Sequence, residues 1–228
     1  MRFTIINFTD PEKIKNVIDN LLIITRKKPL IVNHEEKSIP NCDLIILPDE
    51  FRTSSNKVIT EKILNYPVIK ELKNHIARGG SVLGINSGAE ILINANLIDA
   101  KIKRFNNNSD TIRRVAVEIK KNSNSPFLKM YGEKEILNLD SYSSKDCFIL
   151  ESKNSNLKNK SQIAFKYRNN NIHREPNKID AENTGIAGIV SENGKILCSI
   201  PDPTIFNKYN VKGNDPKLFF EKVVKILS

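Results

Sequence analysis

Five residues, Gly84-Ile85-Asn86-Ser87-Gly88, form the segment of this chain most suited to chemistry. They follow an apolar run, Ser81-Val82-Leu83, and open a helical pattern, Ala89-Glu90-Ile91-Leu92-Ile93. Strand, sharp turn and helix in that order are the setting of a nucleophile elbow. There a reactive side chain is held on a strained turn, beside backbone N–H groups that stabilise an oxyanion. The apex here is Asn86, whose amide is not a nucleophile. Asn tolerates positive φ better than other non-glycine residues, so it can keep the turn without the chemistry. The sequence therefore predicts a positive φ at Asn86. Ser87 lies one residue past the apex, so the spacing does not give Gly-x-Ser-x-Gly around it.

No other group of residues offers a replacement nucleophile and base. His75 falls on a predicted helix and reads as a polar-face side chain, while His34 and His173 lie in polar, loop-like stretches. Cys42 and Cys198 sit in apolar strands, where small buried residues are expected. Cys147 stands apart from both. The three cysteines show no CxxC pairing and no Cys/His metal spacing, which points to reduced thiols in a cytoplasmic protein. No metal and no cofactor is expected. The acidic residues Asp49, Glu50, Glu90 and Asp202 could converge around the turn, either as a cation or ammonium site or as a solvated rim. No spacing among them demands a metal.

The elements that must position the turn are legible in outline. Phe3 to Phe8 reads as a strand, and Asp10-Pro11 as the cap and first position of a helix carrying Ile14, Val17, Ile18 and Leu21. Pro29 to Val32 and Cys42 to Leu47 are predicted strands, the second apolar throughout and closed by Pro48. Residues 59–77 predict one helix with Val68, Ile69, Leu72 and Ile76 on one face, ended by Arg78-Gly79-Gly80. Ser81 to Ile85 is the next strand, and the helix after the turn runs to about Asn94. This alternation predicts a parallel sheet wrapped by helices, with sites at the carboxyl ends of its strands. Beyond about residue 112 the pattern changes to short strands: Val115 to Ile119, Cys147 to Glu151, Gln162 to Tyr167, Gly185 to Val190 and Ile196 to Ile200. Asn193-Gly194 signals a hairpin, 154–160 and 169–182 read as loops, and Pro216 to Leu227 as an amphipathic helix.

The chain's 228 residues, 39% hydrophobic and 27% charged, suit one globular domain over 1–228 without repeats. The net charge of +10 comes from scattered Lys and Arg with no interleaved aromatics, which favours solubilising charge over a nucleic-acid surface. The N-terminal run is too short and polar for a signal peptide, and no apolar run nears the ~18 residues of a membrane span.

Seven segments, in order and spacing, resemble the glutaminase-subunit family of phosphoribosylformylglycinamidine synthase (PurQ), a class I glutamine amidotransferase family. They are Leu44 to Pro48 with Phe51, Pro67-Val68-Ile69 through Gly80 to Gly84, and 122–127 with Ser125-Pro126-Phe127. The others are Ala164 to Tyr167 followed by Gly185 to Val190, Asn193-Gly194, Ile200-Pro201-Asp202-Pro203, and Leu218-Phe219-Phe220. The resemblance implies a flavodoxin-like α/β fold: a mostly parallel central sheet flanked by helices, with added antiparallel strands in the C-terminal half. It also implies a thiolate, a His base and an orienting carboxylate, and these places fall on Asn86, Asp202 and Thr204. The Gly-Gly of the family's oxyanion loop falls on Asp49 and Glu50, with Ser87 completing the oxyanion positions. A substrate-holding Gln falls on Glu90, and the segment lining the glutamine site falls on Tyr142 to Asp146, including Ser143 and Ser144.

Every chemically loaded place is thus substituted while the framework is kept. The expectation is a pseudo-glutaminase: a subunit that docks to a synthetase large subunit and a small bridging subunit but does not hydrolyse glutamine. The alternative is a non-enzymatic binding or regulatory protein derived from a retired amidotransferase. A true enzyme with new chemistry has no residue constellation behind it.

Overall fold

Apolar strands that alternate with amphipathic helices bury both sheet faces. The computed structural model describes residues 1–9, 11–51, 62–105, 112–120, 125–142, 146–150, 161–168, 185–205 and 215–227. Asp10, residues 59–61, Ser143, Ser144, Glu151, His173 and the two predicted loops lie outside the described residues. The elements are β1 (Phe3–Asn7), α1 (Pro11–Thr25), β2 (Leu30–Asn33), β3 (Leu44–Leu47), α2 (Pro67–Ala77), β4 (Ser81–Ile85) and α3 (Ser87–Asn94). They continue with β5 (Ala100–Lys103), β6 (Arg113–Ile119), β7 (Ile136–Ser141), β8 (Cys147–Leu150), β9 (Ile163–Tyr167), β10 (Ile186–Val190), β11 (Ile196–Ser199) and α4 (Asp215–Leu227).

Nine strands form one sheet in the order β2-β1-β3-β4-β11-β10-β9-β6-β7. The run from β2 to β11 is parallel, and its order is that of a flavodoxin-like sheet with β11 as fifth strand. From β11 to β7 every pairing is antiparallel. The expected parallel sheet with antiparallel C-terminal strands is what forms. Alternate residues feed two cores. Leu44, Ile46, Leu83 and Ile85 join α1 and α4 on one face, and Ile45, Leu47 and Val82 join α2 and α3 on the other.

Two strands are absent from the sequence reading. β5 is Ala-Lys-Ile-Lys, whose two lysines hide it, and among the described residues it pairs with β8 alone, in a separate ribbon. β7 places Leu137 and Leu139 inward between polar Asn138 and Asp140, a half-buried edge strand with a weak apolar signal. The Asn193-Gly194 hairpin forms, with Gly194 at φ 71 and its N–H donated to the Ser191 carbonyl at 2.8 Å.

The single helix expected over 59–77 is broken. Residues 62–64 make a helical turn, then Tyr66 is extended at φ −70, ψ 142, and Pro67 begins α2. Proline disfavours helical geometry in the residue before it, so Pro67 starts a helix rather than lying inside one. The inward face of α2 also differs. His75, expected on a polar face, is buried with Val68, Ile69 and Leu72, while Ile76 is only partly buried. Its ring sits where a Gly80 side chain would be, 2.1 Å from an ideal Cβ there, and its Nε2 lies 3.2 Å from the Ser81 carbonyl. Gly80 thus makes room for the imidazole that packs α2 onto the start of β4.

Burial pushes the His75 imidazole pKa below its ordinary value, with the Ser81 carbonyl acting the other way. A lowered folded pKa means that the unfolded chain takes up the proton first. The stabilising contribution is complete above the ordinary His value of about 6.5 and is lost as pH falls through it toward the folded value. Urea unfolding should therefore show stability declining as pH falls below about 6.5, and His75→Gln should flatten part of that slope. An unchanged slope would mean that the ring stays solvated.

Candidate functional site

The turn at the carboxyl end of β4 is a true elbow. Asn86 has φ 45 and ψ −99, the positive φ predicted from its residue type. Such a conformation costs about 1–3 kcal/mol in a non-glycine residue and persists only where neighbours over-determine it. Here the Asn86 N–H donates to the Ser199 carbonyl at the end of β11 (2.8 Å), and the Asn86 carbonyl accepts the Glu90 N–H (3.1 Å), which starts α3. Two glycines allow the close packing. An ideal Cβ on Gly84 would meet Leu92 Cδ1 at 2.5 Å, and one on Gly88 would meet the Leu47 carbonyl oxygen at 2.1 Å. The first turn of α3 therefore lies directly against the end of β3 and the residues that follow it.

That contact brings Asp49 and Ser87 together, and here the structure shows what the sequence did not. The backbone N–H groups of Glu50 and Phe51 both donate to the Ser87 hydroxyl oxygen, at 3.0 and 3.2 Å. The Ser87 N–H points to Asp49 Oδ1 at 3.4 Å, and Asn86 Nδ2 donates to Asp49 Oδ2 at 3.1 Å. Asn86, Ser87, Asp49 and Glu50 are all buried. The Glu50, Phe51 and Ser87 amides thus already hold side-chain oxygens of the protein itself, one of them carried by a carboxylate.

Arg104 completes the cluster. Its Nη1 donates to Asn86 Oδ1 and, at 3.0 Å, to Asp146 Oδ2. Its Nη2 donates to Glu90 Oε2 at 2.7 Å. The other Asp146 oxygen accepts the Phe105 N–H at 2.9 Å. Burial acts to lower the guanidinium pKa, but the bonds to Glu90 and Asp146 outweigh it, and the net displacement is upward. Arg104 stays charged at any working pH.

The four acidic residues do not converge as one site. Asp49 and Glu90 both reach the elbow, Asp49 directly and Glu90 through Arg104. Glu50 instead accepts the Phe8 N–H at 3.0 Å and the Thr9 hydroxyl at 2.7 Å, bonding to the turn after β1. Asp202, just past β11, accepts the Thr204 N–H at 2.7 Å and the Thr204 hydroxyl at 2.5 Å, both on Oδ1. Asp202 and Thr204, two residues apart, therefore bond to each other. The Thr204 carbonyl accepts Asn20 Nδ2 at 2.6 Å, tying this corner to α1.

The cysteines supply no nucleophile. Cys42, Cys147 and Cys198 are free and buried, and burial raises each thiol pKa. Among the functional residues, sequence reasoning missed Arg104. It stands in Lys-Ile-Lys-Arg, where a lysine-rich composition disguises a specific cation.

The model of the CobB/CobQ-like glutamine amidotransferase domain matches residues 34–218. The PurQ subunit of phosphoribosylformylglycinamidine synthase from Bartonella henselae is 25% identical over 99% of each chain. The one from Campylobacter jejuni is 32% identical over 77% of this chain and 75% of its own. In three dimensions the chain matches a chain of the PurLQS structure from Thermotoga maritima with TM-score 0.77 at 17% identity, covering 100% and 99% of the two. A glutamine amidotransferase from the same organism matches with TM-score 0.62 at 12% identity, covering 100% and 98%.

Replacing Ser87 by alanine should leave the Glu50 and Phe51 amides without their acceptor. Each buried orphan costs about 1–3 kcal/mol, so Ser87→Ala should lower the urea midpoint with no change in m-value. A change within about 0.5 kcal/mol would show that another acceptor or water takes the place of the hydroxyl.

Proposed function

Because the chain belongs to the CobB/CobQ-like glutamine amidotransferases and, within them, to the PurQ family, we propose that it is a PurQ-like subunit of a phosphoribosylformylglycinamidine synthase in purine biosynthesis that no longer hydrolyses glutamine. An intact family member, as the resemblance implies, releases ammonia from glutamine and passes it to the synthetase. This subunit keeps the framework and the docking role toward a synthetase large subunit and a small bridging subunit. The complex then draws on free ammonia. The chain works in the cytoplasm, and no helix among its described residues is long and apolar enough to cross a membrane.

The observation that carries the loss of hydrolysis is the occupied oxyanion position. Amide hydrolysis by this route needs a thiolate to attack the carbonyl carbon, N–H donors for the oxygen that becomes negative, and a base that later protonates the leaving ammonia. Asn86 is no nucleophile: its amide nitrogen lone pair is delocalised into the carbonyl, and its oxygen accepts from Arg104. The donors at Glu50, Phe51 and Ser87 already bond to Ser87 Oγ and Asp49. The Asp49 carboxylate puts negative charge where negative charge would have to develop. Asp202 is engaged with Thr204 in place of an imidazole. The near-full-length likeness to PurQ subunits supports the docking half of the reading.

Restoring the nucleophile alone should not restore the reaction. Removing one oxyanion donor costs about 10²–10³ in rate, and triad members act as a unit, so Asn86→Cys should release no more ammonia from glutamine than the unmodified chain. Measurable turnover by Asn86→Cys would show that the oxyanion site is open.

The chain co-expressed with its synthetase partners should co-purify, and the complex should turn over with ammonium but not with glutamine. Glutamine-dependent turnover would end the pseudo-glutaminase reading. A chain that does not associate would favour a free-standing binding or regulatory protein instead.

A further inference from the structure

We infer that Arg104 is an internal occupant of the cleft, a guanidinium latch that holds the tip of the β5–β8 ribbon over the elbow. The ribbon is a two-stranded antiparallel unit outside the main sheet, in which Lys103 pairs with Cys147. That register puts Arg104 and Asp146 side by side just beyond the last pair. Asp146 is buried and takes the Arg104 guanidinium on one oxygen and the Phe105 N–H on the other. From there the guanidinium reaches out of the ribbon to two residues of a different unit, Asn86 at the elbow apex and Glu90 on the first turn of α3. One side chain thereby ties the ribbon, the apex and the helix together across the mouth of the cleft.

Only a planar fork fits this arrangement. Three acceptors on three segments are reached by two terminal nitrogens, and a lysine ammonium presents a single point from which to do so. The ribbon's base is held differently. Ala100, Phe148 and Leu150 are buried in the core layer shared with α2 and α3, so the base is anchored by apolar packing and the tip by Arg104. Breaking the latch therefore frees the tip without dismantling the sheet. Asn86, Glu90 and Asp146 all stand at or beside positions where the resemblance implies contact with glutamine, and a residue of the protein itself now fills the space among them.

This inference deepens the proposed loss of glutaminase, and its test uses no glutamine. Amide hydrogen exchange and the Asn86 side-chain amide signals are followed by NMR in the full chain, in Arg104→Ala and in Arg104→Lys. Arg104→Ala should speed exchange at the Phe105 amide about tenfold and shift the Asn86 side-chain signals, while Ile189 and Leu197 in β10 and β11 keep their rates. Excess methylguanidinium should restore both readouts in Arg104→Ala, and methylammonium should not. Arg104→Lys should behave as the open form. Unchanged Phe105 exchange in Arg104→Ala, full protection in Arg104→Lys, or equal rescue by methylammonium would each overturn the latch. If Arg104→Ala loses protection throughout, Arg104→Gln decides by the same readouts: local opening supports the latch, and global loss overturns it. A glutamine-hydrolysing wild type would sink the functional reading and leave these exchange rates untouched.

Discussion

The site depends on the approach of α3 to the end of β3 at Gly88. A Cβ there would lie 2.1 Å from the Leu47 carbonyl oxygen, so no larger residue permits the contact without moving backbone. Because α3 can sit this close, the Ser87 hydroxyl comes within hydrogen-bond reach of the amides two and three residues past Pro48. The same approach puts the Asn86 amide against Asp49. The strain at Asn86 is then held from both sides, by β11 through Ser199 and by the loop after β3 through Asp49. The side chains at the elbow serve as its own support.

The electrostatics follow from that packing. Burying a carboxylate is costly unless its oxygens find donors. Asp49, Glu50, Asp146 and Asp202 are all buried, and each is met by backbone N–H groups, hydroxyls, an amide or the Arg104 guanidinium. The Ser87 N–H and the Asn86 side-chain amide point at Asp49, while the Glu50 and Phe51 amides hold the Ser87 hydroxyl. Arg104 offsets part of the negative charge that Glu90 and Asp146 add nearby.

Much of the frame was legible because its signals are local. The apolar runs at 44–47 and 81–85, the Gly79 stop and the Asn193-Gly194 turn each announce themselves within a few residues. The positive φ of Asn86 followed from residue type and position. What stayed hidden depends on tertiary context. β5 is a strand only because β8 lies beside it, and His75 is buried only because Gly80 leaves space for its ring. Arg104 is one cation among 36 lysines and arginines, and nothing in its neighbours in sequence marks which carboxylates it will meet. The break at Pro67 was readable and was outweighed by the apolar period on either side.

The pattern of replacement argues against unrelated single losses. Where the resemblance implies Gly-Gly, Cys, His and Glu, the chain has Asp49-Glu50, Asn86, Asp202 and Thr204, and these new groups bond largely to one another. Asn86 pairs with Asp49, and Asp202 takes both donors of Thr204. Substitutions accumulated without constraint would be expected to strand some of these polar groups in a buried cleft, at about 1–3 kcal/mol each. The groups at these positions are instead satisfied in pairs, so changing one member removes a partner from another. Asp49 and Asn86 share a hydrogen bond, so the effects of changing them on the stability of the turn should be non-additive in a double-mutant cycle.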